Sequence, residues 1–109
     1  MRIEELDTAG LRRVLRDESR AVLVDYWSPW CAPCRTLRPH LEQLADEHRD
    51  NARIVAVNVE AETEAAEQFE VASLPTLILF ADGEMRRRFT GPTLPSELNQ
   101  ALTALPARG

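Results

Sequence analysis

Three short apolar runs limit what this chain of 109 residues can become: Ala21 to Tyr26 (AVLVDY), Arg53 to Val59 (RIVAVNV) and Thr76 to Phe80 (TLILF). Each is nearly continuous rather than alternating, which is how a strand reads when both of its faces are buried. Strands buried on both faces need helices above and below the sheet, and crossover connections between parallel strands supply them. The stretches between the runs have helical spacing. Asp7 or Thr8 can cap a helix with its stripe at Leu11, Val14 and Leu15, and Cys34 to about Arg49 repeats at Leu37, Leu41, Leu44 and Ala45. Pro39 falls inside that second helix and predicts a kink. Glu62 to Phe69 reads as a short acidic helix docked through Ala65, Ala66 and Phe69.

The ends of the chain complete the pattern. Arg2 to Leu6 is a weak strand with Ile3 as its best apolar residue. Asp82-Gly83 is a two-residue hairpin signal joining the third apolar run to Met85 to Thr90. Ser96 can cap a last helix carrying Leu98, Ala101, Leu102 and Leu105 on one side. The expected order is β-α-β-α-β-α-β-β-α, an α/β class with parallel pairing first and one antiparallel pair at the end. With no repeat or linker, residues 1–109 read as one domain.

Composition excludes several kinds of chemistry. All 13 basic residues are Arg, so a lysine Schiff base and the lysine of a phosphate-binding loop are impossible. A net charge of -5 argues against a broad nucleic-acid surface. The run Arg86-Arg87-Arg88 reads as charge that protects a terminal strand from edge-to-edge pairing. No apolar run approaches the ~20 residues a membrane span needs. The first residues, Met1-Arg2-Ile3-Glu4-Glu5, lack the apolar core of a signal peptide, which predicts a cytoplasmic protein.

Both cysteines lie in one tetrapeptide, Cys31-Ala32-Pro33-Cys34, so a disulfide framework is excluded. Such a pair can be half of a zinc site, a redox couple or an accident. Zinc would need His40 and His48, whose spacing fits no usual ligand pattern, and both read as surface residues. The context favours redox chemistry. The pair follows a buried strand and opens a helix, so Cys31 lies where unpaired N–H groups and the helix dipole stabilise a thiolate. Cys34, one turn further in, is expected to be more buried. Pro33 between them has a fixed φ and restrains the ring that closes on oxidation. Asp25, flanked by apolar residues, is expected to be desolvated, with its pKa raised.

The segment Trp27-Ser28-Pro29-Trp30-Cys31-Ala32-Pro33-Cys34-Arg35 resembles the active site of the thioredoxin family. Val24-Asp25-Tyr26-Trp27 upstream, Pro39, Leu74-Pro75-Thr76, the Phe80 to Glu84 turn and Gly91 are similar to further parts of that family's pattern, in order along nearly the whole chain. The resemblance implies a thioredoxin fold, a central mixed sheet of about five strands flanked by about four helices, with a cis bond between Leu74 and Pro75. It implies a protein-disulfide reductase that works by dithiol–disulfide exchange. Cys31 is then the attacking thiolate, Cys34 the resolving thiol and Asp25 the group that moves the Cys34 proton. Trp30, Ala32, Pro33, Val59, Leu74, Pro75, Thr90 and Gly91 become the docking surface.

The implied partners are disulfide-containing client proteins and a reductase dependent on flavin and NADPH. No bound cofactor, no metal, no nucleic acid and no membrane are implied, and the chain is expected to act as a monomer. Two departures bear on tuning. Ala32 replaces the family's usual glycine, and Ala56 stands where a lysine usually neighbours the buried acid, with nothing basic beside it in sequence. Two other readings stay open. One is a thioredoxin-fold adaptor or chaperone-type module with a secondary redox role; the other is a disulfide oxidant or isomerase.

Overall fold

The computed structural model describes residues 3–105. Its elements are β1 (Glu4–Glu5), α1 (Thr8–Asp17), β2 (Ala21–Trp27), α2 (Ala32–Glu47), β3 (Ala52–Asn58), α3 (Thr63–Gln68), β4 (Thr76–Ala81), β5 (Glu84–Thr90) and α4 (Pro95–Thr103). That is the succession the apolar runs predict. The strands form one sheet in the order β1-β3-β2-β4-β5. β1, β3 and β2 run parallel, while β4 is antiparallel to β2 and β5 to β4. β2 is therefore bonded on both edges, with helices on both faces.

Alternation along β2 divides its side chains between two cores. Val22, Val24 and Tyr26 pack with Leu11 and Val14 of α1 and Ala65 of α3. Ala21 and Leu23 pack on the other face with Leu37 and Leu41 of α2 and Leu98 and Leu102 of α4. Side chains two apart in a strand share a face, so Asp25 lies on the side of Leu23, beneath α2.

Several boundaries differ from expectation for local reasons. The first strand is cut to Glu4–Glu5, because Asp7 already caps α1 by accepting the Gly10 N–H at 2.7 Å. Leu6 N–H still donates to Ala56 at 2.8 Å, and Arg2 lies outside the described residues. α2 begins at Ala32 rather than Cys34, since Cys31 takes the cap position and Pro33 needs no N–H partner in a first turn. Pro39 sits inside α2 without ending it. The last helix corrects the Ser96 cap. Leu94 occupies that position, Pro95 opens the helix, and the Glu97 carboxylate accepts the Leu94 N–H at 3.2 Å. The hairpin is as expected: φ is 55° at Asp82 and 76° at Gly83, and positive φ at both central residues matches the twist of paired strands.

Candidate active site

β2 delivers the site. At its end the chain turns through Ser28-Pro29-Trp30 and enters α2 at Cys31. Cys31 N–H donates to Ser28 at 3.1 Å, and Arg35 Nη1 donates to the Pro29 carbonyl at 2.6 Å, closing the turn from both sides. Cys31 and Cys34 are disulfide-bonded. Their settings differ as the sequence predicts: Cys34 is 2% exposed, while Cys31 is half-buried at the helix cap. Cys31 Sγ accepts the Cys34 N–H at 3.2 Å, one of the orphan donors of a helix start. A thiolate at Cys31 would meet the same donor and the positive end of the helix dipole.

Asp25 is fully buried, and burial pushes its carboxyl pKa up to about 6. Two charges modify that rise. Arg38 Nη2 lies 3.4 Å from Oδ2 and lowers it, while the Glu5 carboxylate raises it. The lack of a base beside Ala56 in sequence is therefore offset from elsewhere in the fold. Ala56 is paired with Asp25 across the sheet and carries no charge, but a cation reaches the acid from α2 instead. Glu5 and Arg38 are the two residues that a local reading of the sequence misses. The available signal is spacing, because Arg38 is one helical turn beyond Cys34 and so shares its face of α2.

The expected docking residues fall into two groups. Ala32, Pro33 and Pro75 line an open groove of about 420 Å³, together with Leu37, His40 and Pro92. Gly91, with φ at 80°, donates its N–H to the Pro75 carbonyl at 2.9 Å, beside Thr90 at the end of β5. The Leu74–Pro75 bond is cis. Val59 and Leu74 do not line this groove; both are half-buried against the core on the α1 side. Trp30 is 81% exposed, and its Nε1 donates to Glu60 at 3.0 Å, next in sequence to Val59. Trp27 is half-buried and donates to Glu5 at 3.0 Å, so the two tryptophans are tied to different segments. Of the histidines, His48 bonds Asn99 at 2.7 Å and His40 borders the groove. The Arg86 to Arg88 run is engaged along β5: Arg86 with Asp82 and Glu84, Arg87 over the Phe89 ring, Arg88 on the Phe69 and Glu70 carbonyls.

A family model described as Thioredoxin matches residues 2–104. A bifunctional thioredoxin reductase/thioredoxin from Mycobacterium leprae is 38% identical over 89 residues, which cover 82% of this chain and 19% of that protein. The chain thus spans about a fifth of that relative. A thioredoxin from Alicyclobacillus acidocaldarius is 42% identical over 86 residues, covering 79% of this chain and 81% of that one. Among solved structures, oxidised mitochondrial thioredoxin 3 from Saccharomyces cerevisiae superposes with a TM-score of 0.85 at 26% identity, covering 94% of this chain and 95% of its own. No described helix is long and apolar enough to cross a membrane.

Proposed function

The chain belongs to the thioredoxin family of thiol–disulfide oxidoreductases, and from that premise we propose that residues 1–109 act as one monomeric protein-disulfide reductase. In the reduced form the Cys31 thiolate attacks a client disulfide and forms a mixed disulfide with one client sulfur. Cys34 loses its proton to Asp25 and attacks Cys31 Sγ. The client leaves reduced, and the Cys31–Cys34 disulfide remains. The client's disulfide gains two electrons, and the cysteine pair loses them.

The observation that carries this reading is the asymmetry of the pair: a half-buried Cys31 at the helix cap and a Cys34 exposed by only 2%. The first can meet a client and the second can meet only the first. Ala32, Pro33, Pro75, Thr90 and Gly91 form one side of the docking surface, and Trp30, Val59 and Leu74 form the other. Electrons return from a separate reductase that draws on flavin and NADPH, in a cytoplasmic compartment kept reducing. The relative whose name joins a thioredoxin reductase to a thioredoxin supports a partner of that kind.

Trapping tests the roles. Cys34→Ser should accumulate mixed disulfides with client proteins, and Cys31→Ser should accumulate almost none. Equal trapping by both variants would overturn the assignment of attacker and resolver.

A further inference from the structure

Arg38 and Cys34 are four residues apart on α2, so they share one face of the helix. With Trp27, Arg35 and Pro39 they line a cavity of about 260 Å³ behind the cysteine pair. The Arg38 guanidinium is held on three sides. Nη1 donates to Glu5 Oε1 at 3.2 Å, Nη2 donates to Asp25 Oδ2 at 3.4 Å, and the group lies 5.2 Å from the centre of the Trp27 ring. Trp27 Nε1 in turn donates to Glu5 Oε2 at 3.0 Å. Both oxygens of Glu5 are thus spent on fixing this arginine, one directly and one through the ring it rests on. An arginine ordered this firmly gives up much side-chain entropy, which an isolated surface ion pair would not repay.

At the inner end the two carboxylate oxygens of Asp25 are unlike. Oδ2 is held by Arg38, while Oδ1 is buried with no hydrogen-bond partner among the described residues. The surroundings supply few other charges. From β1 comes Glu5, and from α2 comes Arg38, one helical turn beyond Cys34 on the same face. The residues paired with Asp25 on β3 and β4 are Ala56 and Leu77, which carry none.

We propose that Arg38 is a positioning residue for the resolving step: fixed by Glu5 and Trp27, it grips one oxygen of Asp25 and leaves the other, Oδ1, to take the Cys34 proton. This rests on the proton-accepting role proposed above for Asp25. In that step the Cys34 S–H proton passes to Oδ1, and the Cys34 thiolate forms the bond to Cys31 Sγ. The bond from Cys31 to the client sulfur breaks, and the client leaves as a thiolate. Arg38 neither gives nor takes a proton. It orients the acceptor, and its charge offsets part of the desolvation that would otherwise hold Asp25 protonated.

The test uses Arg38→Met, which keeps the apolar stem and removes the charge, Arg38→Lys, which restores a cation, and Asp25→Asn. One readout is the titration of the Asp25 side-chain carboxyl carbon by NMR in the oxidised protein, where neither cysteine titrates. The other is the rate–pH profile of the second thiolate released from a coloured aromatic disulfide by reduced protein in a single turnover. Arg38→Met should move both the Asp25 midpoint and the acid limb of the rate profile upward by about one pH unit. Arg38→Lys should return most of that shift. An Asp25 midpoint unmoved in Arg38→Met, or moved equally in Arg38→Lys, overturns the proposal and leaves the role of Asp25 standing. A wild-type rate profile in Asp25→Asn overturns the role of Asp25 itself.

Discussion

Where β2 begins, Glu18 meets Arg20 and Arg53; where it ends, Asp25 meets Arg38. Each arginine cluster also reaches a glutamate of β1, Arg53 to Glu4 and Arg38 to Glu5. The ingredients match, but the proton affinities are opposite. Glu18 accepts from Arg20 N, Nε and Nη2 at 3.0, 2.9 and 3.0 Å and from Arg53 Nη1 at 3.3 Å. Those hydrogen bonds, the Arg20 side chain foremost, pull its pKa down to about 2. Asp25 has one such donor, longer at 3.4 Å, in a site with no exposure, and burial pushes its pKa up to about 6. Donor count against desolvation decides the sign. One end of the strand keeps its charge to low pH, and the other holds its proton to higher pH.

The comparison breaks most visibly in turnover. Replacing Cys31 by Ser at the reactive end should lower protein-disulfide reduction by at least about a thousandfold, because the nucleophile is gone. Replacing Glu18 by Gln at the other end should leave turnover unchanged. An assay of disulfide reduction with a small dithiol as electron source compares the two directly. A large loss in Glu18→Gln would mean the two ends do not act separately.

Stability should diverge next, through Asp25→Asn. The folded pKa lies above the ordinary aspartate value of 3.8, so the folded state binds more protons, and Asp25 destabilises it increasingly as pH rises from about 4 through 6. At pH 7 the full penalty of about 3 kcal/mol applies, and below about pH 3 it is absent. Asp25→Asn should therefore stabilise the oxidised protein at pH 7 by up to that amount, with the gain fading toward pH 3. Denaturant melts at the two pH values measure it. A gain independent of pH would show that Asp25 does not titrate as a buried acid.

How much of this contrast the sequence reveals depends on how far apart the partners are. The apolar flanks of Asp25 reveal its burial, since Val24 and Tyr26 must both be inside for the strand to be central. The cysteine asymmetry follows from a strand that ends where a helix begins, and Asp82-Gly83 fixes its hairpin within two residues. The Arg38–Glu5 contact is hidden because it joins α2 to β1 across 33 positions. A search for a base near Ala56 looks along the wrong element. Ser96 fails as a cap for a different reason: Pro95 and Glu97 together start α4 two positions earlier, with Leu94 as its cap, and side-chain type alone does not rank the two starts. Val59 and Leu74, named with the docking residues, are half-buried against the α1-side core and do not line the groove beside Pro75.

A smaller effect, with the opposite pH sign, should come from Glu18→Gln. The folded pKa is depressed, so the stability Glu18 contributes is present above the ordinary value of 4.5 and lost as pH falls toward 2. Solvent reaches this cluster and screens it, which limits the cost of Glu18→Gln at pH 7 to about 1 kcal/mol. Melts at pH 7 and pH 2 should show the penalty and then its disappearance. A penalty that persists at pH 2 would assign it to lost packing rather than to charge.

Salt separates the two ends most finely. Raising ionic strength from 0.1 M to 1 M shortens the screening length from about 10 Å to about 3 Å. The Glu18 cluster is partly wet, with Arg20 and Arg53 side chains 33% and 31% exposed, so its attraction should weaken. The penalty of Glu18→Gln at pH 7 should then fall by about half a kcal/mol. The gain from Asp25→Asn should hold, because its source is desolvation of a carboxylate that mobile ions do not reach. Paired melts of both variants and the parent at the two salt concentrations give the two differences side by side. If the Asp25→Asn gain shrinks as much as the Glu18→Gln penalty, the raised proton affinity of Asp25 comes from the Glu5 charge rather than from burial, and the two ends of β2 differ only in which neighbour is closer.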